Sequence, residues 1–375
     1  MAISSAGFTD ALVEAGISVV AGVPCSILAD AQTALEAAPS VKYIAAANEG
    51  AALGIACGAY LAGNRSAVLM QDSGLGNVVN PLTSLALTYR LGCLLVVSRH
   101  HAETDEPQHR VMATLIDPLL NQLGIRILDL GRSDWNRHEV TTAVAEEISA
   151  RRVMAITVPR GAIVSSPKPS GLPGLTLRAA PRLSQTSAIR AVSSSLPPGT
   201  PVVASTGHIA RTLFAGHHSD HNFYMVGSMG HAAAIALGLA ESQPESGPIV
   251  VLDGDGALVM HLGILSTIGS RRNASIIHVV IDNEAYESTG GQRTTANTTS
   301  FAAAAMACGY QSGCECHDSM ALREAVRRAL ATRGSHMIVA KVECSASEPP
   351  SIMASRAPED LAAGFRRSFS SLRHG

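Results

Sequence analysis

The sequence predicts an α/β protein with two doubly wound domains, each built on a parallel sheet. Three observations carry that expectation. Short apolar runs recur along the chain, each ending in polar or glycine-rich residues. Stretches with helical spacing separate them, and continuous apolar strands alternating with helices are the pattern of sheets covered on both faces. The third observation is a break: "SSPKPSGLPGLTLRAAPR" packs four prolines into eighteen residues. That density excludes a regular helix or a central strand and reads as a linker.

The elements follow in order. Residues 1–164 form the first expected domain, with strands in "ISVVAGVP", "VKYIAAAN", "SAVLMQDSG", "CLLVVSR" and "VMAITVPRG". Helical patterns lie between them, as in "EGAALGIACGAYLAG" and "NPLTSLALTYRLG". The linker covers 165–183. The second domain, 184–375, resumes the rhythm with "PVVAST", "NFYMVGSMG", "GPIVVLDGDG", "SIIHVVIDNE" and "HMIVAKVE". Ligands of such sheets bind at the carboxyl ends of the strands. The unusual residues collect there: "GVPCS", "ANEG", "MQDSGLGN", "SRHHAETDEPQH", "STGH", "GSMGHA", "LDGDGA" and "IDNEAYESTGGQ".

Composition excludes several function classes. With 46% hydrophobic and 15% charged residues the chain is expected to fold around large cores. Aromatics make up only 3%, so small and branched aliphatic side chains must fill those cores. A formal net charge of −2 gives no reason to expect nucleic acid or an anionic membrane as partner. No basic residue precedes Lys42, so the charged start of a signal peptide is not expected, and the longest apolar stretch, "AAAIALGLA", is too short to span a bilayer. Seven cysteines, an odd number in apolar surroundings, fit free thiols in a reducing cytoplasm. "CECH" at Cys314 lacks a second ligand pair and is not read as a zinc site.

Within "LDGDGAL", Gly254–Asp255–Gly256 follows an apolar strand and opens a helical run. Free N–H groups at such a helix start bind phosphate, and glycine permits close approach. An aspartate beside a phosphate repels it unless a cation lies between, which makes Asp255 a candidate ligand of Mg²⁺. The following strand delivers Asn283, whose side-chain oxygen suits the same ion. Taken alone, such a tripeptide is most often a turn. Asp253 precedes it without an assigned contact, supporting the turn.

The spacing points beyond a simple turn. Gly256 and Asn283 are separated by 26 residues, room for one helix and one strand. Strand, Gly-Asp-Gly, helix, strand and asparagine at this interval resemble the cofactor motif of thiamin-diphosphate-dependent decarboxylases and transketolases. The resemblance implies Asp255, Asn283 and the Ala285 carbonyl as metal ligands; glycine is the family's usual residue at the last position. It implies Gly254, Gly256 and Thr206 as further cofactor contacts. "ANEGAALGIACGAYLAG" looks like the family's glutamate segment, which makes Glu49 the partner of the aminopyrimidine N1′. A glutamate favoured by the helix dipole explains Glu49 equally well in isolation. "VGSMGHAAAIALGLA" is similar to the segment that cups the pyrimidine, with Gly227 offering a carbonyl and Met229 bending the cofactor. The chain has no room for the middle domain of larger relatives.

"MQDSGLGNVVNPLTSL", "DEPQH" and "ESTGGQ" together resemble phosphonopyruvate decarboxylases, with sulfopyruvate decarboxylases as close relatives. The implied reaction is non-oxidative decarboxylation of phosphonopyruvate to phosphonoacetaldehyde and carbon dioxide through a cofactor enamine. The substrate is then a small anionic 2-oxo acid, for which cationic and N–H-rich surroundings are needed. Cys25, Ser26, Arg99, Gln108, Thr289 and Gly290 are the candidate substrate contacts. His109 or Asp105 is the candidate for guiding the proton. His208 stands where the family more often has lysine, Tyr286 lies near its usual histidine, and Cys25 replaces a frequent aspartate. The resemblance further implies a homo-oligomer, at least a dimer, with active sites at subunit interfaces. Two alternatives stand beside it: a sulfopyruvate decarboxylase or related decarboxylase or carboligase, and a non-catalytic nucleotide-binding protein. Against the latter, "GVPCSILAD" contains only one glycine where a dinucleotide fingerprint needs several.

Overall fold

The computed structural model describes residues 2–132, 136–165, 183–344, 349–352 and 355–372. They fall into two compact units, Met1–Gly174 and Leu175–Gly375. The expected linker lies outside the described residues except at its two ends.

In the first unit β1 (Ile3–Ser4), α1 (Ser5–Glu14), β2 (Ile17–Gly22), α2 (Ala29–Ala37), β3 (Lys42–Ala45) and α3 (Glu49–Leu61) lead to β4 (Arg65–Met70) and α4 (Leu75–Pro81). Then come β5 (Leu94–Arg99), α5 (Arg110–Gln122), β6 (Arg126–Asp129), α6 (Arg137–Ser149), β7 (Met154–Pro159) and β8 (Ile163–Val164). Six of these strands form a parallel sheet in the order β3-β2-β4-β5-β7-β6, and β1 pairs separately with β8. Alternate strand residues serve opposite faces. Leu69, Leu94 and Val96 pack with α1, α2 and α6, whereas Val68, Met70, Leu95 and Val97 pack with α3, α4 and α5. Both faces are covered, which is why the runs are apolar without interruption. Each such side chain, fully buried, stabilises the fold by about 1.5–3 kcal/mol.

The second unit begins with α7 (Gln185–Ser193), β9 (Val202–Ala204), α8 (His208–His217), β10 (Asn222–Tyr224) and α9 (Ala232–Ser242). It continues through β11 (Ile249–Gly254), α10 (Asp255–Met260), α11 (Ile264–Gly269) and β12 (Ile276–Asp282). A hairpin of β13 (Ala285–Tyr286) and β14 (Gln292–Arg293) follows, then α12 (Phe301–Ala307), β15 (Ser312–Cys316), α13 (Ser319–Leu330), β16 (His336–Lys341) and α14 (Pro358–Ser371). Its parallel sheet runs β10-β9-β11-β12-β16-β15. One face packs on α7, α8 and α13, while α9 covers β9, β11 and β12, and α12 lies against β15 and β16.

Counted within each unit, both sheets have the strand order 2-1-3-4-6-5. The chain leaves the first strand to one side for the second and to the other side for the third. A ligand crevice is therefore expected at the carboxyl ends between β2 and β4, and again between β9 and β11.

Two strands of the six-stranded sheets escape the sequence pattern, as do the two-residue strands β1, β8, β13 and β14. "RILD" of β6 and "SGCEC" of β15 are edge strands, only partly buried, so neither needs the continuous apolar run of a central strand. The cysteines of "CECH" belong to β15, where Cys316 joins the core and Cys314 packs against it.

Candidate active site

In the second unit β11 ends at Gly254 and α10 starts at Asp255, at the crevice beside β9. The Ser205 N–H donates to the Leu252 carbonyl at 2.8 Å, which ties Thr206 and the start of α8 to the same strand end. Asp255 is only 2% exposed. The Thr294 hydroxyl donates to its Oδ2 at 2.5 Å. Burial, and after it the nearby Asp282, push the Asp255 carboxyl up to about 8. Asp282 is itself raised by burial, although the Lys341 ammonium donates to it at 2.5 Å. Asp282 and Glu284 thus share the one ammonium, and Asp255 has no basic partner among the described residues. A divalent cation would supply the missing charge, and the oxygen donors at hand suit a hard ion. The donor set therefore fits Mg²⁺.

Asn283 follows β12. Its Oδ1 accepts from the Ala285 N–H at 3.1 Å and its Nδ2 donates to Glu287 Oε2 at 2.9 Å. Between them Glu284 has φ 58°, a left-handed turn uncommon for a residue with a side chain. That turn folds Asn283 and Ala285 back on one another. Glycine at 256 has a steric reason: a Cβ there would lie 2.5 Å from the Tyr286 ring. The side of Gly256 on which a Cβ would project is thus filled by the Tyr286 ring. Asp253 points inward; its Oδ1 accepts from Gly254 N–H at 3.0 Å, and His278 Nε2 lies 3.4 Å from its Oδ2.

The turn carrying Gly227 and Met229 is built on unusual backbone, with φ 54° at Ser228 and 86° at Gly230. A Cβ at Gly230 would stand 2.9 Å from the Ala257 carbonyl, so the turn packs tightly on α10. Thr289 and Gly290 lie in the β13–β14 turn. The Thr289 hydroxyl donates to the Tyr286 carbonyl and to Gln292, and Gly290 and Gly291 take φ of 125° and 77°. His208 opens α8 with its Nδ1 buried, 3.8 Å from Glu287.

In the first unit Glu49 is the first residue of α3, behind the N-cap Asn48. It is 5% exposed, and Asn77 Nδ2 donates to its Oε2 at 2.7 Å. Gly74 makes room for it, since a Cβ there would lie 2.4 Å from Glu49 Oε1. Cys25, after β2, donates to Ser98 Oγ at 3.3 Å, and burial pushes its thiol up. Ser26 is exposed. Arg99 is held by Asp117 through both terminal nitrogens, at 3.0 and 2.6 Å, and by Thr157. Its Nε and the Oε1 of Gln108 are buried without a partner among the described residues.

Asp105 and His109 belong to the loop after β5. Burial raises the Asp105 carboxyl, but the His101 N–H, His100, Arg160 and His109 outweigh it and hold the group below its ordinary value. His109 is lowered, first by burial and then by His100. His100 reads in sequence as one of several basic residues crowding a strand end, and Asp72 as part of a turn. Both prove to be buried, with His100 Nδ1 3.0 Å from Asp72 Oδ2. Only the adjacency of β4 and β5 brings them together, and that is not written in either segment.

Every candidate residue thus sits at or beyond the carboxyl end of a strand, divided between the two units: Cys25 to His109 in one, Thr206 to Gly290 in the other. Residues 5–119 match the N-terminal TPP binding domain of thiamine pyrophosphate enzymes, and residues 204–340 match the C-terminal TPP binding domain. The chain is similar to the phosphonopyruvate decarboxylase of Streptomyces viridochromogenes, 33% identical over 349 residues, which cover 90% of this chain and 87% of that protein. The phosphonopyruvate decarboxylase of Streptomyces hygroscopicus is 34% identical over 353 residues, 90% of this chain and 86% of that one. A sulfopyruvate decarboxylase of Methanosarcina acetivorans is 26% identical, with 95% of both chains covered. Both domain matches and near full-length relatives agree, and the chain belongs to the phosphonopyruvate decarboxylase family of thiamine pyrophosphate enzymes.

Proposed function

We propose that the protein decarboxylates phosphonopyruvate to phosphonoacetaldehyde and carbon dioxide, with thiamin diphosphate and Mg²⁺ as cofactors. The observation that carries this reading is the similarity to two phosphonopyruvate decarboxylases over 90% of the chain. The uncompensated buried Asp255 supports the cofactor half of it. Asp255, Asn283 and the Ala285 carbonyl would hold the metal, with Gly254, Gly256 and Thr206 at the diphosphate. Gly227 and Met229 would meet the pyrimidine. When bound, this cofactor supplies an electron sink for the carbanion left by carbon dioxide.

The chain's own residues do the rest. Glu49, fixed through Oε2 by Asn77, keeps Oε1 for taking up and returning a proton. The anionic end of the substrate is met by Cys25, Ser26, Thr289, Gly290, Gln108 and Arg99. Arg99 is engaged by Asp117, and its buried Nε, unpartnered among the described residues, is a donor it keeps for the substrate. His109 delivers the proton that replaces the lost carboxylate. Asp105, ionised and tied to the His101 N–H at 2.7 Å, shapes that loop.

We further infer a cytoplasmic homo-oligomer, at least a dimer, with active sites at subunit interfaces. Seven free cysteines support the location. A second reading, sulfopyruvate as substrate, is favoured by the match to the archaeal sulfopyruvate decarboxylase over 95% of the chain. The test incubates the protein with thiamin diphosphate and Mg²⁺ and follows carbon dioxide release from phosphonopyruvate, sulfopyruvate and pyruvate separately. Phosphonopyruvate should turn over fastest. Preference for sulfopyruvate would overturn the substrate, and no turnover of any of the three would overturn the reaction.

A further inference from the structure

Asp72, His100 and His109 form a group at the ends of β4 and β5. Asp72 is fully buried. Its Oδ1 accepts from the Ser73 N–H at 2.7 Å, and its Oδ2 accepts from the His100 N–H at 3.2 Å and faces His100 Nδ1 at 3.0 Å. The His100 ring, so anchored, lies parallel to the His109 ring, with centroids 3.8 Å apart and an angle of 3°. Gln71 Nε2 and Asp72 Oδ1 both lie on the Nδ1 side of the His109 ring, 3.4 and 3.9 Å from that nitrogen. Ligand atoms of the three residues lie within 4.8 Å of one another, the spacing of a cation site. However, Asp72 is already satisfied from within the chain, and the rings stack instead of converging on a point. The trio holds itself together without an ion.

We propose that Asp72 and His100 are positioning residues for His109: the buried carboxylate locks the His100 ring, which is the platform that fixes the plane of His109 and leaves its Nε2–H for the substrate. This rests on the function proposed above. As carbon dioxide leaves, the carbon it leaves behind takes the Nε2 proton from the imidazolium form of His109, the N–H electron pair stays on the ring, which becomes neutral imidazole, and a proton from solvent restores the imidazolium. One proton is consumed for each carbon dioxide released. The charged groups facing His109 are His100 from the end of β5, Asp72 from the turn after β4, and Asp105 and Glu106 from its own loop. Arg160, after β7, stands behind Asp105 at 3.5 Å.

The test reads the His109 imidazole by NMR in the cofactor-free full chain, with His109→Gln to assign its signal. His100→Phe keeps a flat ring but removes a like charge, so the His109 titration midpoint should rise. Asp72→Asn removes an opposite charge and should lower it. Each displacement should be about one pH unit, as expected for a charge within 4–6 Å. In the loaded enzyme the pH profile of kcat should move in the same two directions, with KM for phosphonopyruvate changed less than about three-fold. Folded variants with an unmoved His109 midpoint would overturn the proposal, as would a His100→Phe midpoint that falls. If Asp72→Asn does not fold, His100→Phe decides alone. Failure of the wild type to decarboxylate any 2-oxo acid would sink the proposed reaction, while the NMR midpoints still judge the positioning.

Discussion

Glu49 keeps its position because residue 74 has no side chain. Its carboxyl group occupies the space where a Cβ at Gly74 would stand, 2.4 Å from Oε1. Gly74→Ala should therefore displace the carboxylate and reduce kcat on the order of 10²-fold, the cost of misplacing a reacting group by about an ångström. Glu49→Gln removes the proton carrier but keeps the shape, and should cost about 10²–10⁴-fold in kcat. Calorimetry with thiamin diphosphate and Mg²⁺ should find binding near the wild-type value in Glu49→Gln; full activity would defeat the role given to Glu49. This glutamate is legible in "ANEGAALG" because one strand end and one helix start define it. Arg99 is less so. Sequence marks it as a free cation, but its partner Asp117 arrives about two helical turns into α5 and takes up two of its nitrogens. Asp72 is not legible at all, since the groups that satisfy it belong mainly to another strand.

The first turn of α10 makes stability depend on pH in an unusual direction. Asp255 rises from an ordinary 3.8 to about 8 in the fold. Between those values the folded chain holds a proton that the unfolded chain has released. Stability therefore falls as pH climbs through this window, and the penalty is complete above about pH 8. In EDTA the melting temperature of the wild type should decline from pH 5 to pH 8 more steeply than that of Asp255→Asn, which has no proton to lose. Mg²⁺ with thiamin diphosphate binds the ionised form, releases a proton and should restore the wild type but not the variant. Parallel melting curves for the two proteins in EDTA would contradict this. The central strands and the Gly-Asp-Gly helix start are legible because burial on both faces demands unbroken apolar runs. β6 and β15, at the sheet edges, are released from that demand and so leave no comparable trace.

Each unit has its own sheet and its own core, and the residues proposed for one reaction are divided between them. If subunit interfaces complete the active sites, specific activity should fall on dilution, in step with dissociation followed by sedimentation. Activity that persists per chain in a fully monomeric sample would refute the interfacial site. The shared strand order also gives the two units matching addresses. After the third strand of its sheet each places an aspartate, Asp72 in one and Asp255 in the other, and after the fourth it places a polar residue, His100 or Asn283. In the first unit the chain answers the buried carboxylate with an imidazole and backbone N–H groups. In the second the Thr294 hydroxyl and backbone N–H groups reach the carboxyl, but no basic group does among the described residues, and burial with Asp282 beside it keeps it high. One scaffold position thus serves as a closed lock in one half and an open socket in the other, so the two halves can specialise without any change in how either strand is laid down.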